Sequence, residues 1–333
     1  MKPAVAIIGD GGWGTALGLL LHQKGHPVRI WGPFPEYLDR VRQARENADY
    51  LPGVALPDSL EWTADRGAVV REAGIVVLAV PTKYFRSVME SFAGLIPSAA
   101  LVVSVAKGLD AATHQRMTEV ARQVLGLGSV AALSGPSFAE EVARGVPTAV
   151  VVACTDPGRA QLLQEILSAP RFRVYTSDDV VGVELGGALK NVIAVAVGVS
   201  DGIGFGHNTR AALITRGLAE ISRLGCALGA HPSTFAGLSG LGDLVLTCTS
   251  RMSRNHTVGE RLGRGEPVDV ILGGMKQVAE GVTNCANARA VARALAVAVP
   301  ITDEVYSVIH AGKNPQQAVE ALLGRDLRPE RDR

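Results

Sequence analysis

The chain has 333 residues, of which 47% are apolar, and its 33 lysines and arginines nearly balance its 32 aspartates and glutamates. This length predicts about two domains, and the near-neutral charge argues against a nucleic-acid partner. The four cysteines lack the spacing of a metal site or a disulfide framework, which indicates reduced thiols in a cytoplasmic protein. The N-terminal residues show no signal-peptide pattern, and the apolar runs are too short or too rich in glycine for stable membrane insertion.

A glycine-rich turn near the N-terminus predicts the first functional site. An apolar run at Ala4–Ile8 is followed by glycines with the spacing G-x-G-x-x-G and then by an apolar helix. In such a unit Gly9 permits a tight turn, Gly11 lets a pyrophosphate approach the backbone, and Gly14 lets the helix pack on the strand. The strand before the glycines and the helix after them favour a dinucleotide site over a chance glycine-rich turn.

The second predicted strand, Val28–Trp31, leaves the coenzyme preference open. In NAD-preferring units an Asp or Glu near the end of this strand holds the ribose hydroxyls. Here the strand is followed by glycine and Pro33, with no acid before Glu36. We therefore expect that a 2′-phosphate is not repelled at this point. Arg29 or Arg40 could pair with that phosphate, or either could be an ordinary surface charge.

Further strands alternate with helices as far as about residue 177. They are predicted at 60–62, 75–80, 101–105, 130–133, 148–153 and 172–175. This alternation predicts a doubly wound sheet with helices on both faces, whose ligands bind at the carboxyl ends of the strands. Those ends carry the glycine turn, residues 81–82, Lys107 and residues 135–137.

After about residue 177 the strand signals stop, and apolar stretches with helical spacing take over. Helices are predicted at 178–199, 209–228, 255–262, 274–279, 285–296, 301–310 and 315–323. The sequence therefore predicts an α/β Rossmann-like, dinucleotide-binding domain at residues 1–180 and an all-α, substrate-binding domain at residues 181–333.

Two charged residues stand out in this second part. Lys190 is the only cation in the apolar run 185–199. It either reaches solvent from a helix edge or is a desolvated ammonium with a lowered pKa, able to exchange a proton with a carbinol oxygen. Asp243 lies in an apolar, glycine-hinged segment at 240–247. It either caps a helix or orients the lysine.

A third feature is the sequence Ser-Arg-Asn at 253–255, directly before a predicted helix. A helix start combined with a guanidinium suits a phosphate group. The alternative is a helix cap with an ordinary surface arginine.

Several motifs together resemble the NAD(P)-dependent glycerol-3-phosphate dehydrogenases of the bacterial type. They are GALKN at 187–191, SDGIGFG at 200–206, GLGDL at 240–244, SRN at 253–255 and SGPSFA at 134–139, besides the glycine turn. The motifs occur in the family's order and cover nearly the whole chain. We therefore identify the chain by resemblance as a member of this family.

The resemblance implies a set of site residues. For proton transfer it implies Lys190 and Asp243. For the substrate it implies Lys107, Gly135, Ser137, Lys190, Asn191, Asp243, Ser253, Arg254 and Asn255. For NADP or NAD it implies Gly9, Gly11, Gly12, Trp13, Gly14, Pro33, Lys107, Ala139, Arg254, Val278 and Glu280. It implies no metal ligand.

The resemblance also implies a reaction, the interconversion of dihydroxyacetone phosphate and sn-glycerol 3-phosphate by hydride transfer with NAD(P)H. The product would supply phospholipid biosynthesis in the cytoplasm, and the enzyme would be a homodimer. Gly12 stands where the family usually has Ala or Ser, which should be harmless. Pro33 stands where a polar or basic residue is common, so the choice between NADP and NAD stays open.

Two alternatives to this function remain. One is another Rossmann-plus-helical dehydrogenase of 2- or 3-hydroxy acids, which need not keep the phosphate group of residues at 253–255. The other is a non-catalytic NAD(P)-binding sensor, which could lose Lys190 and Asp243. Both residues are present, which disfavours the sensor.

Overall fold

The computed structural model describes residues 2–275, 277–327 and 329–330, which form one eight-stranded sheet followed by a group of helices. The strands are β1 (Ala4–Ile8), β2 (Val28–Trp31), β3 (Glu61–Thr63), β4 (Ala73–Leu78), β5 (Leu101–Ser104), β6 (Ala131–Ser134), β7 (Thr148–Ala153) and β8 (Phe172–Ser177). Their order is β3-β2-β1-β4-β5-β6-β7-β8. Among the described strand pairs, β6 with β7 is the one antiparallel pair. The strand order reverses between β1 and β4, which opens a crevice at their carboxyl ends.

Helices alternate with these strands. They are α1 (Gly12–Gln23), α2 (Pro35–Ala44), α3 (Arg66–Val70), α4 (Thr82–Ser91), α5 (Met117–Leu125), α6 (Ala139–Ala143) and α7 (Pro157–Leu167). Strand β1 shows why helices are needed on both faces, because successive side chains of a strand point to opposite sides. Val5 and Ile7 pack in one buried cluster with Leu17 of α1, while Ala6 and Ile8 pack in another with Phe85 of α4.

The rest of the chain is helical. Its elements are α8 (Val180–Ile203), α9 (His207–Ala227), α10 (Pro232–Phe235), a π-helical turn (Leu238–Gly242), α11 (Asp243–Thr249), α12 (Arg254–Gly263), α13 (Val268–Gly273), α14 (Glu280–Ala294), α15 (Pro300–His310) and α16 (Pro315–Leu323). The predicted fold class, a doubly wound, mainly parallel sheet followed by an all-α region, is confirmed.

Helix α8 is the centre of the helical part. It is capped by Asp179, whose carboxylate accepts a hydrogen bond from the Gly182 N–H at 2.8 Å, and it is followed by Gly204, which has a φ of 99°. The expectation that every apolar run is too short or too rich in glycine is wrong for α8, which in the described chain is the one helix long and apolar enough to cross a bilayer, but 89% of its most apolar window is buried inside the protein. This burial favours the core helix of a water-soluble protein over a membrane span.

Helices α8 and α12 touch backbone to backbone. A side chain at Gly198 or Gly202 of α8 would collide with the carbonyl oxygens of His256 or Glu260. In return, a side chain at Gly259 of α12 would collide with the carbonyl oxygen of Val195. Glycines on both helices therefore set how closely α12 approaches the middle of α8.

The helix predicted at 274–279 is wrong. Helix α13 ends at Gly273, and the described residues from Gly274 to Ala279 form a turn and irregular backbone before α14. The carbonyl oxygen of Val278 accepts a hydrogen bond from Arg254 at 2.8 Å. A tertiary contact thus takes the place of a helical bond in this segment, which helical composition alone does not reveal.

Candidate active site

The glycine turn after β1 has room for a ligand at one position. Gly9 has a φ of 123°, and a side chain there would collide with the carbonyl oxygen of Ala79 after β4. Side chains at Gly12 and Gly14 would also collide with backbone oxygens of the chain. A Cβ at Gly11, in contrast, would have no protein atom within 4 Å. This open space beside the first turn of α1 fits the approach of a dinucleotide pyrophosphate.

The turn is held from behind by a residue that sequence reasoning missed. The buried Asn47 donates hydrogen bonds to the Asp10 carbonyl oxygen at 2.8 Å and to the Thr15 hydroxyl at 2.7 Å. It also accepts a hydrogen bond from the Tyr37 hydroxyl. The loop after α2 therefore fixes the conformation of the glycine turn.

Two other residues of the predicted coenzyme set lie around this turn. The rings of Trp13 and Phe172 have centroids 6.4 Å apart, so Trp13 packs within its own chain. The first residue of α6, Ala139, lies next to Gly12, because a Cβ added to Gly12 would be 3.7 Å from that of Ala139. Helix α6 thus lies beside the start of α1.

At the end of β2, the structure adds a contact that the sequence does not reveal. Pro33 is exposed there, and Arg29 pairs with Glu61 at 2.6 Å. Arg40 lies over the Tyr37 ring, 5.2 Å from its centroid. The sequence has no acid after this strand before Glu36, but the carboxyl group of Asp10 lies directly against Gly32. That carboxyl comes from the glycine turn and not from β2.

At the other side of the crevice, a buried carboxylate joins two lysines. Asp243 is 1% exposed, and one of its oxygens accepts a hydrogen bond from Lys190. The other oxygen accepts from Lys107 at 2.7 Å, and Lys107 also donates to the Gly135 carbonyl oxygen at 3.0 Å. The Ser137 hydroxyl donates to the same carbonyl oxygen at 2.9 Å. The structure thus brings these five residues of the predicted substrate set into one network.

Lys190 is a buried amine with its pKa close to neutral. Burial lowers the pKa of Lys190 to about 7, against the opposing effect of the Asp243 carboxylate and with a further lowering by Lys107. Its Nζ also donates to the Thr247 hydroxyl at 2.7 Å. An ammonium has three N–H groups, so two such bonds leave one for a substrate oxygen. The lysine does not reach solvent from the helix edge.

Local backbone features bring Asp243 to Lys190. The π-helical turn precedes α11 directly, and Asp243 is the first residue of that helix. A side chain at Gly186 would collide with the carbonyl oxygen of Ser239 in the turn, and one at Gly240 would collide with the backbone of Phe235. Two glycines therefore allow α8 and the turn to approach closely enough for the lysine–carboxylate contact. Such π-helical turns are frequent at functional sites.

The predicted phosphate residues lie around the start of α12. Ser253 caps this helix by accepting a hydrogen bond from the His256 N–H at 3.2 Å. Arg254 is exposed and donates to the Val278 carbonyl oxygen. The Asn255 amide donates to the Asn191 side chain at 2.9 Å and accepts from the N–H of Gly281 at 2.9 Å. Both asparagine side chains therefore link α8, α12 and α14.

Glu280 connects the helical part to the sheet. It is the first residue of α14, and its carboxylate accepts hydrogen bonds from the N–H and the hydroxyl of Thr82 at the start of α4. Burial raises the pKa of Glu280 above its ordinary value. This contact places the start of α14 at the carboxyl end of β4, next to the glycine turn.

Several residues of the site escaped sequence reasoning. Asn284 of α14 bonds to the backbone of Lys107, Leu109 and Ala188 at 3.2 to 3.3 Å. Thr247 bonds to Lys190, and its only sequence signal is its spacing of four residues from Asp243 on one helix. The hydroxyl of Ser134 is buried without a hydrogen-bond partner among the described atoms.

Two family models match the chain. Residues 4–160 match the model described as NAD-dependent glycerol-3-phosphate dehydrogenase N-terminus, and residues 179–320 match the corresponding C-terminus. Proteins named glycerol-3-phosphate dehydrogenase (NAD(P)+) are similar over nearly their whole length. The one from Geobacillus kaustophilus is 48% identical over 98% of this chain and 96% of its own. The one from Moorella thermoacetica is 49% identical over 98% of this chain and 97% of its own.

A solved structure agrees with these matches. The crystal structure of glycerol-3-phosphate dehydrogenase from Coxiella burnetii is 40% identical and superposes with a TM-score of 0.94, covering 97% of this chain and 99% of that one. The chain belongs to the NAD-dependent glycerol-3-phosphate dehydrogenase family.

Proposed function

We propose that this protein is an NAD(P)-dependent oxidoreductase that interconverts dihydroxyacetone phosphate and sn-glycerol 3-phosphate. The observation that carries the proposal is the network of Lys190, Asp243 and Lys107 at the carboxyl end of the sheet. Such a network supports proton transfer, because it contains a titratable amine beside a strand end of the sheet that carries the glycine turn. Family membership and the relatives' names support the substrate pair.

When bound, the nicotinamide coenzyme supplies or accepts the hydride. In the reducing direction, the Lys190 ammonium donates a proton to the carbonyl oxygen as that oxygen gains negative charge. In the oxidising direction, the neutral amine accepts the proton of the hydroxyl group. The second lysine, Lys107, adds positive charge beside the same oxygen, and Asp243 holds both lysines in place.

The phosphate of the substrate would bind at the start of α12. The first N–H groups of a helix and an arginine fork together suit a dianionic phosphate. Ser253 and Arg254 lie there, and the buried Asn191 and Asn255 lie close by. This group of residues disfavours the alternative of a dehydrogenase for hydroxy acids without phosphate.

The remaining features follow as proposals from the family. We propose that the enzyme works in the cytoplasm, supplies glycerol 3-phosphate to glycerophospholipid synthesis and forms a homodimer. Sedimentation equilibrium of the purified protein tests the dimer, and a single species with the mass of one chain would contradict it. We also propose the division into a coenzyme domain at 1–180 and a substrate domain at 181–333.

One assay tests the activity. Purified protein is mixed with dihydroxyacetone phosphate and either NADH or NADPH, and the nicotinamide absorbance is followed. We expect turnover with at least one coenzyme and a far weaker reaction with dihydroxyacetone. Equal rates with 2- or 3-keto acids that lack phosphate would instead support the hydroxy-acid alternative, and coenzyme binding without any turnover would support the sensor.

A further inference from the structure

The carboxyl group of Asp10 occupies an unusual place. Asp10 is the second residue of the glycine turn, yet its side chain lies over the backbone at the end of β2. A Cβ built on Gly32 would lie 2.6 Å from Cγ of Asp10 and 2.9 Å from its Cβ. The Asp10 carboxyl therefore fills the space that a side chain at position 32 would occupy.

Position 32 is where a Rossmann unit carries its ribose-binding acid. That acid follows the glycine turn by about 20 residues and lies at the end of the second strand. Gly32 follows Gly11 by that interval and comes directly after β2. The sequence has a glycine there, and the structure supplies a carboxyl group to the same space from another segment.

The Asp10 carboxyl group has no side-chain partner that would occupy it before a ligand binds. Its carboxyl group forms no hydrogen bond or ion pair with another side chain in the part of the chain that the structure describes. Burial raises the pKa of Asp10, as expected for a half-buried carboxyl group without a cationic partner. The two arginines that the sequence offers for a 2′-phosphate have other contacts, since Arg29 pairs with Glu61 and Arg40 lies over the Tyr37 ring.

We propose that Asp10 binds the adenosine ribose of the coenzyme and makes the enzyme prefer NADH to NADPH. Its carboxylate accepts hydrogen bonds from the 2′- and 3′-hydroxyls of NADH and repels the 2′-phosphate of NADPH. Pro33, the exposed residue next to Gly32, has no donor to offset that repulsion. The proposal rests on the proposed function, because it concerns the coenzyme of that reaction.

The test measures coenzyme binding directly, without turnover. Dissociation constants for NADH and NADPH are determined by isothermal titration calorimetry for the full chain and for Asp10→Asn. We expect the wild type to bind NADH about tenfold or more tightly than NADPH, and Asp10→Asn to reduce this ratio by about tenfold, because a charged hydrogen bond is lost. The control is Asp39→Asn, an exposed acid on α2 that pairs with Arg42 and should leave the ratio unchanged.

A second pair of variants moves the acid. Asp10→Gly should lose the preference for NADH, and adding Gly32→Asp to it should restore the preference, because residue 32 then fills the vacated space. Melting temperatures identify any variant that fails to fold. Restored NADH preference in the double variant would distinguish ribose binding by the carboxylate from a general effect of the substitution on the glycine turn.

The outcomes are distinct. An unchanged ratio in Asp10→Asn overturns the proposal, as does a wild type that prefers NADPH and loses that preference in Arg40→Ala. If the wild type binds neither coenzyme, the proposed function fails and this proposal with it. If the ratios change as expected but dihydroxyacetone phosphate is not turned over, only the proposed function fails.

Discussion

At the scale of single residues, Lys190 carries the sharpest prediction. Lys190→Met should lower kcat by about 10²–10⁴-fold, because the alkoxide then lacks a proton donor within reach. Coenzyme affinity should stay near normal. Lys190→Arg should not rescue activity, because a guanidinium does not deprotonate in this range. Steady-state kinetics and calorimetric coenzyme binding check both statements, and a folded Lys190→Met enzyme with substantial turnover would assign the proton transfer to another group, first of all Lys107.

The same lysine sets a pH dependence with opposite signs in the two directions. Burial lowers the pKa of Lys190 to about 7. The oxidation of glycerol 3-phosphate needs the neutral amine, so its kcat should rise as the pH increases through about 7. The reduction needs the ammonium, so its kcat should fall over the same range. Neither of these changes of kcat with pH should be seen in the residual activity of Lys190→Met.

Arg254 is the residue we expect to hold the substrate phosphate. Arg254→Ala should raise the KM for dihydroxyacetone phosphate by about 10–100-fold, because one charge-assisted contact is lost. The slow reaction with dihydroxyacetone should change little. Arg251→Ala removes another exposed arginine just before α12 and serves as the matched control. Equal damage to both substrates would show that Arg254 does not anchor the phosphate.

At the scale of elements, the space around Gly11 and Gly14 supports the different roles that the motif gives these two glycines. Gly11→Val meets open space in the protein, so it should keep the melting temperature and weaken NADH binding by about tenfold or more, since it fills the pyrophosphate site. Gly14→Ala collides with the Gly9 carbonyl oxygen and should destabilise the fold by about 1–3 kcal/mol. Thermal unfolding and calorimetry distinguish the two effects, and unchanged NADH affinity in folded Gly11→Val would refute the pyrophosphate site.

The contact between α8 and α12 carries a second prediction at this scale. Gly198→Ala should push the helices apart, cost about 1–3 kcal/mol and raise the KM for the phosphate substrate, because α12 carries Arg254. Gly273→Ala is the control, since a Cβ there has no atom within 4 Å. Denaturant unfolding and kinetics measure both effects. If Gly198→Ala is as stable as the control, side chains and not backbones determine this helix spacing.

At the scale of the whole molecule, the sheet and the helical part are joined by an ion pair whose carboxylate is buried. Glu184 of α8 accepts hydrogen bonds from Arg116 at 2.8 Å and from the Thr118 N–H at 2.9 Å, both at the start of α5. Val180 and Val183 of the same helix pack with Ala132 of β6 and with β7. These contacts tie the two parts together across the proposed domain division.

We therefore expect both parts to unfold in one transition. All three tryptophans lie before residue 63, so their fluorescence reports on the sheet, whereas far-ultraviolet circular dichroism reports mainly on the helices. The two transitions should coincide in the wild type. Glu184→Ala should cost about 2–3 kcal/mol, because the buried Thr118 N–H and hydroxyl lose their acceptor and the partly exposed Arg116 loses one of its two carboxylate partners. Glu119→Ala, which removes a more exposed partner of the same arginine, should cost about 1 kcal/mol. Separate transitions in the wild type would show that the parts unfold independently.

Local patterns in the sequence were enough to predict much of the fold. Short apolar runs predicted the strands, because parallel strands buried on both faces are continuously apolar. The helix predicted at 255–262 matches α12, but α10, the π-helical turn, α11 and α13 were not predicted, since glycine and proline interrupt the segment and tertiary contacts hold these short elements. The helix predicted at 274–279 failed for the same reason, as a contact with Arg254 outweighs helical composition there.

The sequence by itself determined the fold class, the glycine turn and the lone lysine in an apolar helix, because spacing and periodicity along the chain encode all three. Only the tertiary structure decided what surrounds them. Asp243 lies 53 residues from Lys190 and 136 from Lys107, and the packing of α8 on the π-helical turn and on the loop after β5 brings these groups together. The acid at the end of β2 could likewise not be predicted, because Asp10 contacts Gly32 only in the folded chain and no spacing along the sequence indicates that contact.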